Sequence, residues 1–196
     1  MSSGQVLDRW RLDEALADRP SHAPFFESPP RERSATSEGR LFEVRRRVPT
    51  LLVIEDARDH AVLVGIAAGR AHPGLEVRIA DDGIEGVSYL AGMPPFDDRT
   101  AHPLPDLIIL DLFMPEVDGF AVLKWMLRRP AIATIPVVVL TSSGNPDDET
   151  RARSLGARTV YRKPDDLSEL GQVVREIVQE HIPRSEMIDA HIWAAG

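Results

Sequence analysis

The 196-residue chain predicts an α/β fold, a doubly wound five-stranded parallel sheet, and two observations carry that prediction. From Pro49 onward, short β-rich apolar runs alternate with helically spaced segments, the texture of parallel sheets assembled from βα units. Three of the runs, LLVI at 51–54, LIIL at 107–110 and VVVL at 137–140, are apolar without a break. Strands covered by helices on both faces read this way, because neither side alternates with solvent.

Residues 50–54 make the first strand, and residues 59–71 a helix by the spacing of Val62, Leu63, Ile66 and Ala67. A strand at 75–80 and a helix at 84–90 follow. Residues 92–105, GMPPFDDRTAHPLP, form a surface loop longer than most such connections. The third unit is a strand at 107–110 and a helix at 120–127; the fourth is a strand at 137–140 and a helix at 147–155. A strand at 159–161 and a helix at 167–180 complete the series, the last carrying a stripe of Leu167, Leu170, Val174, Ile177 and Val178. Right-handed crossovers leave few topologies for five such units, and the flavodoxin-like order 2-1-3-4-5 leads them.

Residues 1–48 differ in texture. Pro20, Pro24, Pro29 and Pro30 punctuate Ser, Arg and Glu with little to bury, so this extension is expected to be largely disordered, apart from a short amphipathic helix around Leu7, Trp10, Leu12 and Leu16. The domain is expected over 49–182. Residues 183–196 are then a tail far too short for a helix-turn-helix domain. A net charge of -8 and a pI near 5.2 supply no basic field for nucleic acid or anionic lipid, so neither is an expected partner. Without cysteine there is neither a disulfide framework nor a thiolate metal site. The N-terminus has charges every few residues and no apolar core, which argues against a signal peptide or a membrane span. A soluble cytoplasmic protein is the expectation.

The polar residues cluster where the topology would put a ligand. In open parallel sheets ligands lie beyond the carboxyl ends of the strands, where the strand order reverses, here between strands 1 and 3. Glu55 and Asp56 follow strand 1, and Asp111 follows strand 3. Three carboxylates converging on one crevice repel unless a cation sits among them. Mg2+ suits such a site because it takes hard oxygen ligands and keeps several waters. Thr141 ends strand 4, where its hydroxyl can donate to a phosphoryl oxygen, and Lys163 ends strand 5, where its ammonium can offset added negative charge.

The segments IEDARD at 54–59, LIILDLFMPEVDGF at 107–120, VVLTSSG at 138–144 and YRKP at 161–164 resemble the receiver domain of two-component response regulators. The resemblance covers about 49–181. It implies that Asp111 is phosphorylated by a sensor histidine kinase, and that Glu55, Asp56, Asp111 and the Phe113 carbonyl hold Mg2+. It also implies that Thr141 and Lys163 contact the acyl phosphate and that the Lys163–Pro164 peptide is cis. The protein would be a phosphoacceptor in phosphorelay signal transduction, catalysing its own phosphotransfer and dephosphorylation rather than acting on a separate substrate. The long loop before strand 3 is similar to that of small stand-alone regulators serving phytochrome-type kinases. A homodimer or a kinase complex through helix 4, strand 5 and helix 5 is expected, because that surface lies nearest Thr141 and Lys163 and carries the edge of the stripe on the last helix.

One departure concerns the receiver family's aromatic switch. Its position, three before the lysine, holds Val160, and Tyr161 should point to the opposite face of the strand. Among rival readings, a haloacid-dehalogenase-type phosphohydrolase wants a second acid where Phe113 stands, and a nucleotide binder wants a Gly-rich cradle where EDARD stands. A receiver-like interaction module that is never phosphorylated remains the alternative.

Overall fold

A computed structural model of the protein describes residues 48–182; the expected disorder and helix of the N-terminal extension and the tail at 183–196 lie outside the described residues, apart from Val48. Strands β1 (Thr50–Ile54), β2 (Glu76–Ala80), β3 (Leu107–Leu110), β4 (Val137–Thr141) and β5 (Thr159–Arg162) form one parallel sheet in the order 2-1-3-4-5. Every residue of β1, β3 and β4 is buried, whereas the edge strands β2 and β5 are mostly half-buried. The unbroken apolar runs therefore mark the inner strands, as their lack of alternation requires.

Helices α1 (Arg58–Ala71), α2 (Gly83–Ala91), α3 (Gly119–Leu127), α4 (Pro146–Ser154) and α5 (Leu167–His181) connect the strands, with an additional single turn at Pro130–Ala133. Successive strand residues point to opposite faces. On one face Leu51, Val53, Leu107, Ile109, Val138 and Leu140 pack against Ala61, Val64 and Ala68 of α1 and Leu170, Val174, Ile177 and Val178 of α5. On the other face Ile54 lies against Gly86 of α2, so close that a Cβ on the glycine would come within 2.7 Å of it. Helix starts are set by side-chain acceptors: Asp82 takes the Glu85 N–H, Asp118 the Ala121 N–H and Asp166 those of Ser168 and Glu169.

Tyr161 packs against the α1/α5 core cluster, on the face opposite Val160, as strand alternation requires. Burial raises its hydroxyl pKa, and the carboxylates of Glu180 and Glu176 add to the rise. The loop at 92–105 is built around its own ring cluster. Tyr89, Phe96 and His102 pack tilted or edge-on with ring centroids 5.2 to 6.0 Å apart. The Arg99 guanidinium donates to the carbonyls of Tyr89 and Leu90, both at 2.8 Å, and of His102 at 3.2 Å.

One expectation is overturned. The cis peptide among the described residues is Pro94–Pro95, and the Lys163–Pro164 bond is trans. An X-Pro bond differs by only about 0.5 to 1 kcal/mol between its isomers, so tertiary surroundings rather than the local dipeptide decide between them.

Candidate functional site

Strand pairing builds the site. Ile54 and Leu110 are register partners, and the Asp111 N–H donates to the Ile54 carbonyl at 3.0 Å, so the chain leaves β1 and β3 side by side. Glu55, Asp56 and Asp111 consequently offer carboxylate oxygens all within 4.8 Å of one another. Glu55 and Asp111 are buried and Asp56 is exposed, so the cluster has a closed floor and an open rim.

Lys163 supplies the compensating charge. Its backbone N–H donates to the Thr141 carbonyl at 2.7 Å, which extends the β4–β5 ladder by one bond and aims the side chain at the crevice. The ammonium lies 2.6 Å from Glu55 Oε2 and 2.7 Å from Asp111 Oδ2. Burial pushes the Glu55 carboxyl above the usual carboxylate range, and the Lys163 ammonium pulls against that rise. Backbone amides hold the remaining oxygens: Leu112 N–H donates to Asp111 Oδ1 at 2.7 Å, Phe113 N–H reaches it at 3.4 Å, and Ala57 N–H donates to Glu55 Oε1 at 3.3 Å.

Thr141 is buried at the end of β4, and its Oγ1 accepts the Ser143 N–H at 3.2 Å. Ser143 Oγ in turn donates to Asp148 Oδ2 at 2.6 Å, tying the loop to α4. The structure thus brings Glu55, Asp56, Asp111, Thr141 and Lys163 to one edge of the sheet, with Phe113 two residues after Asp111.

Sequence reasoning missed the residue that lets α3 close on this edge. A Cβ at Gly119 would come within 2.2 Å of the Asp111 carbonyl oxygen and 2.8 Å of Leu112 Cα, so only glycine allows the approach. The Gly119 N–H uses it, donating to the Leu112 carbonyl at 3.0 Å. The signal was present as the Asp-Gly pair of EVDGF, which reads locally as nothing more than a turn before a helix. Gly83 plays the same part for α2, since a Cβ there would meet the Val117 carbonyl oxygen at 2.3 Å.

The arrangement offers hard oxygen donors at the rim and a buried carboxylate beside an ammonium, all at the switch point of a flavodoxin-like sheet. Chemically, that combination can hold a divalent cation or an anionic group at the carboxyl ends of the strands of an α/β protein. Residues 51–175 match the family model of the response regulator receiver domain, and the chain belongs to that family. It is 34% identical over 140 residues to the DNA-binding dual master transcriptional regulator RpaA of Synechocystis sp., an alignment covering 70% of this chain and 53% of that one. Response regulator Rcp1 of the same organism is 32% identical over 127 residues, covering 65% of this chain and 84% of Rcp1. The chain therefore spans about half of RpaA and most of Rcp1. Among solved structures, the phosphorylated cyanobacterial phytochrome response regulator RcpA superposes with a TM-score of 0.65 at 31% identity, covering 69% of this chain and 94% of that one. The Mn(2+)-bound form of Rcp1 gives 0.61 at 31% identity over 66% of this chain and 91% of that one.

Proposed function

We propose that this chain is a cytoplasmic phosphoacceptor whose Asp111 takes a phosphoryl group from the phosphohistidine of a phytochrome-type sensor histidine kinase, in a Mg2+-dependent reaction. The observation that carries this reading is the pairing of buried Asp111 with Lys163 at 2.7 Å inside a cluster of three carboxylates. The donor set fits Mg2+, being all oxygen, acidic and open on the Asp56 side. Glu55, Asp56, Asp111 and the Phe113 carbonyl would hold the ion, which supplies positive charge where phosphoryl oxygens gather.

The residues of the chain do the rest. A carboxylate oxygen of Asp111 bonds to phosphorus as the phosphorus–nitrogen bond of the phosphohistidine breaks, and the electron pair of that bond stays on the imidazole nitrogen. Backbone amides of Leu112 and Phe113 hold the carboxylate in position meanwhile. The product carries roughly two negative charges, and the Lys163 ammonium can turn from the carboxylate to a phosphoryl oxygen without leaving the crevice. Thr141 accepts from Ser143 through a lone pair, which leaves its hydroxyl proton free to donate to the same group. Attack of water on the acyl phosphate, held in the same pocket, later resets the protein. The signal leaves through a protein surface formed by α4, β5 and α5, where Leu167 is 63% exposed and a second copy of the chain would dock, and nucleic acid takes no part.

Incubation with 32P-labelled acetyl phosphate and Mg2+ tests the reading. The wild-type chain should take up label and Asp111→Asn should lose it, because an amide is no nucleophile; undiminished labelling of the variant refutes the assignment.

A further inference from the structure

A short chain of rings leads from the phosphoacceptor to α4. Phe113, half-exposed two residues after Asp111, meets Phe120 of α3 edge-on, with ring centroids 6.3 Å apart and planes at 86°. Phe120 is buried, and the guanidinium carbon of Arg151 on α4 lies 3.9 Å above its ring centroid. We propose that the Phe113–Phe120–Arg151 stack is the route by which the state of Asp111 reaches α4, with Arg151 the positioning residue that seats the helix in the unphosphorylated protein. The proposal rests on the reading of Asp111 as phosphoacceptor.

Two features of α4 give the stack its leverage. The helix, PDDETRARS, has a single buried residue, Ala152, so packing alone holds it weakly. The Ser143–Asp148 hydrogen bond is a second tie, and it too leads back to the site, through the Ser143 N–H on Thr141 Oγ1; Arg153, which donates to the Arg158 carbonyl, holds the far end of the helix apart from the site. Both ties reach α4 from residues at the phosphoacceptor edge. The neighbouring strand offers no competing aromatic lever on that side, because Val160 stands there and Tyr161 is packed into the opposite core.

The two ties should let go together. Phe113 and Leu112 share Asp111 Oδ1, which becomes a weaker acceptor once the carboxylate is an acyl phosphate, so the long Phe113 contact slackens and its ring shifts against Phe120. The face on which Arg151 rests is altered from below. At the same time a Thr141 side chain drawn toward the phosphoryl oxygens carries Oγ1 away from the Ser143 N–H and loosens the serine that holds Asp148. A helix with so little buried surface opens readily once both contacts weaken.

Hydrogen exchange of residues 146–154 in the full chain, with and without acetyl phosphate and Mg2+, tests the route. Phosphorylation of the wild type should speed exchange in α4 about thirtyfold, as expected from losing one cation–π contact and one side-chain hydrogen bond. Arg151→Met keeps the aliphatic stem and helix propensity but removes the cation. In that variant exchange should already be faster without phosphorylation and the ratio should fall to about fivefold, the share left to the Ser143–Asp148 tie, while 32P labelling proceeds as in the wild type. Arg153→Met is the control on the same helix: Arg153 pairs with Glu149 at 2.9 Å and donates to the Arg158 carbonyl at 3.1 Å, contacts apart from the ring stack, so its loss should speed exchange equally in both states and keep most of the wild-type ratio. A wild-type ratio in Arg151→Met, or an equal collapse in both variants, overturns the route while leaving Asp111 as phosphoacceptor. Failure of the wild type to take up label overturns both.

Discussion

Helices α4 and α5 flank the same edge strand and are held in opposite ways. α5 buries Leu170, Val174, Ile177 and Val178 and begins on an Asp166 carboxylate that accepts two backbone N–H groups. α4 buries Ala152 alone and begins on Asn145, which accepts one N–H at 3.1 Å. Burying a Val, Leu or Ile side chain contributes about 1.5 to 3 kcal/mol, whereas an exposed cation–π contact or a hydrogen bond contributes about 1. α5 is therefore fixed by area and α4 by a few separable contacts. Only the second kind of attachment can be undone by a change at one carboxylate.

The contrast is sharpest in stability. Ile177→Ala should cost about 3 kcal/mol by leaving a cavity between α1 and α5, and Asp148→Ala should cost about 1 kcal/mol or less. Urea denaturation of the two variants measures this, and equal losses would erase the distinction between the helices. Next in size is Gly119→Ala. Its Cβ must displace the Asp111 carbonyl or withdraw α3, which should cost about 2 kcal/mol and slow labelling of Asp111 several-fold.

A smaller effect separates the helices by pH. Burial holds the His181 imidazole at the end of α5 below its ordinary range, with the Arg158 charge acting in the same direction and Glu180 opposing. The folded state then favours neutral His181. Its contribution is present above the unfolded value of about 6.5 and is lost as pH falls through the depressed folded value. The melting temperature of the wild type should drop on that acidic side more steeply than that of His181→Gln; parallel curves would show that α5 carries no such sensitivity. Smallest of all is Asp56→Ala. Removing one exposed carboxylate from the cluster relieves repulsion, so melts without Mg2+ should be unchanged or slightly raised while Mg2+ affinity falls. A clear drop in the metal-free melt would make Asp56 a structural residue.

The sheet was legible because its inner strands are covered on both faces, so LLVI, LIIL and VVVL could hardly be anything else. The same runs place Glu55, Asp111 and Thr141, since strand ends and topology together determine which residues meet. Features set by distant partners were not legible. The turn at Pro130–Ala133 buries no residue and leaves no period to detect. Gly119 is required by a carbonyl eight residues away, and the placing of the cis bond at Pro94–Pro95 instead of Lys163–Pro164 depends on surroundings that no dipeptide records. The ties on α4 escaped for the same reason, because a ring–guanidinium contact between residues 120 and 151 has no local signature.

Arg99 gives the loop at 92–105 a meaning for protein engineering. Its guanidinium occupies the last carbonyls of α2 and fills the space beside Gly92, where a Cβ would come within 2.7 Å of it. Helix and loop are thus a matched pair, joined by one side chain inserted from the middle of the connection. A chimera that trades this loop for a shorter one from a relative would strip the terminal carbonyls of α2 of their guanidinium donor. The transplant should take only when α2, Gly92 and the loop travel as one cassette.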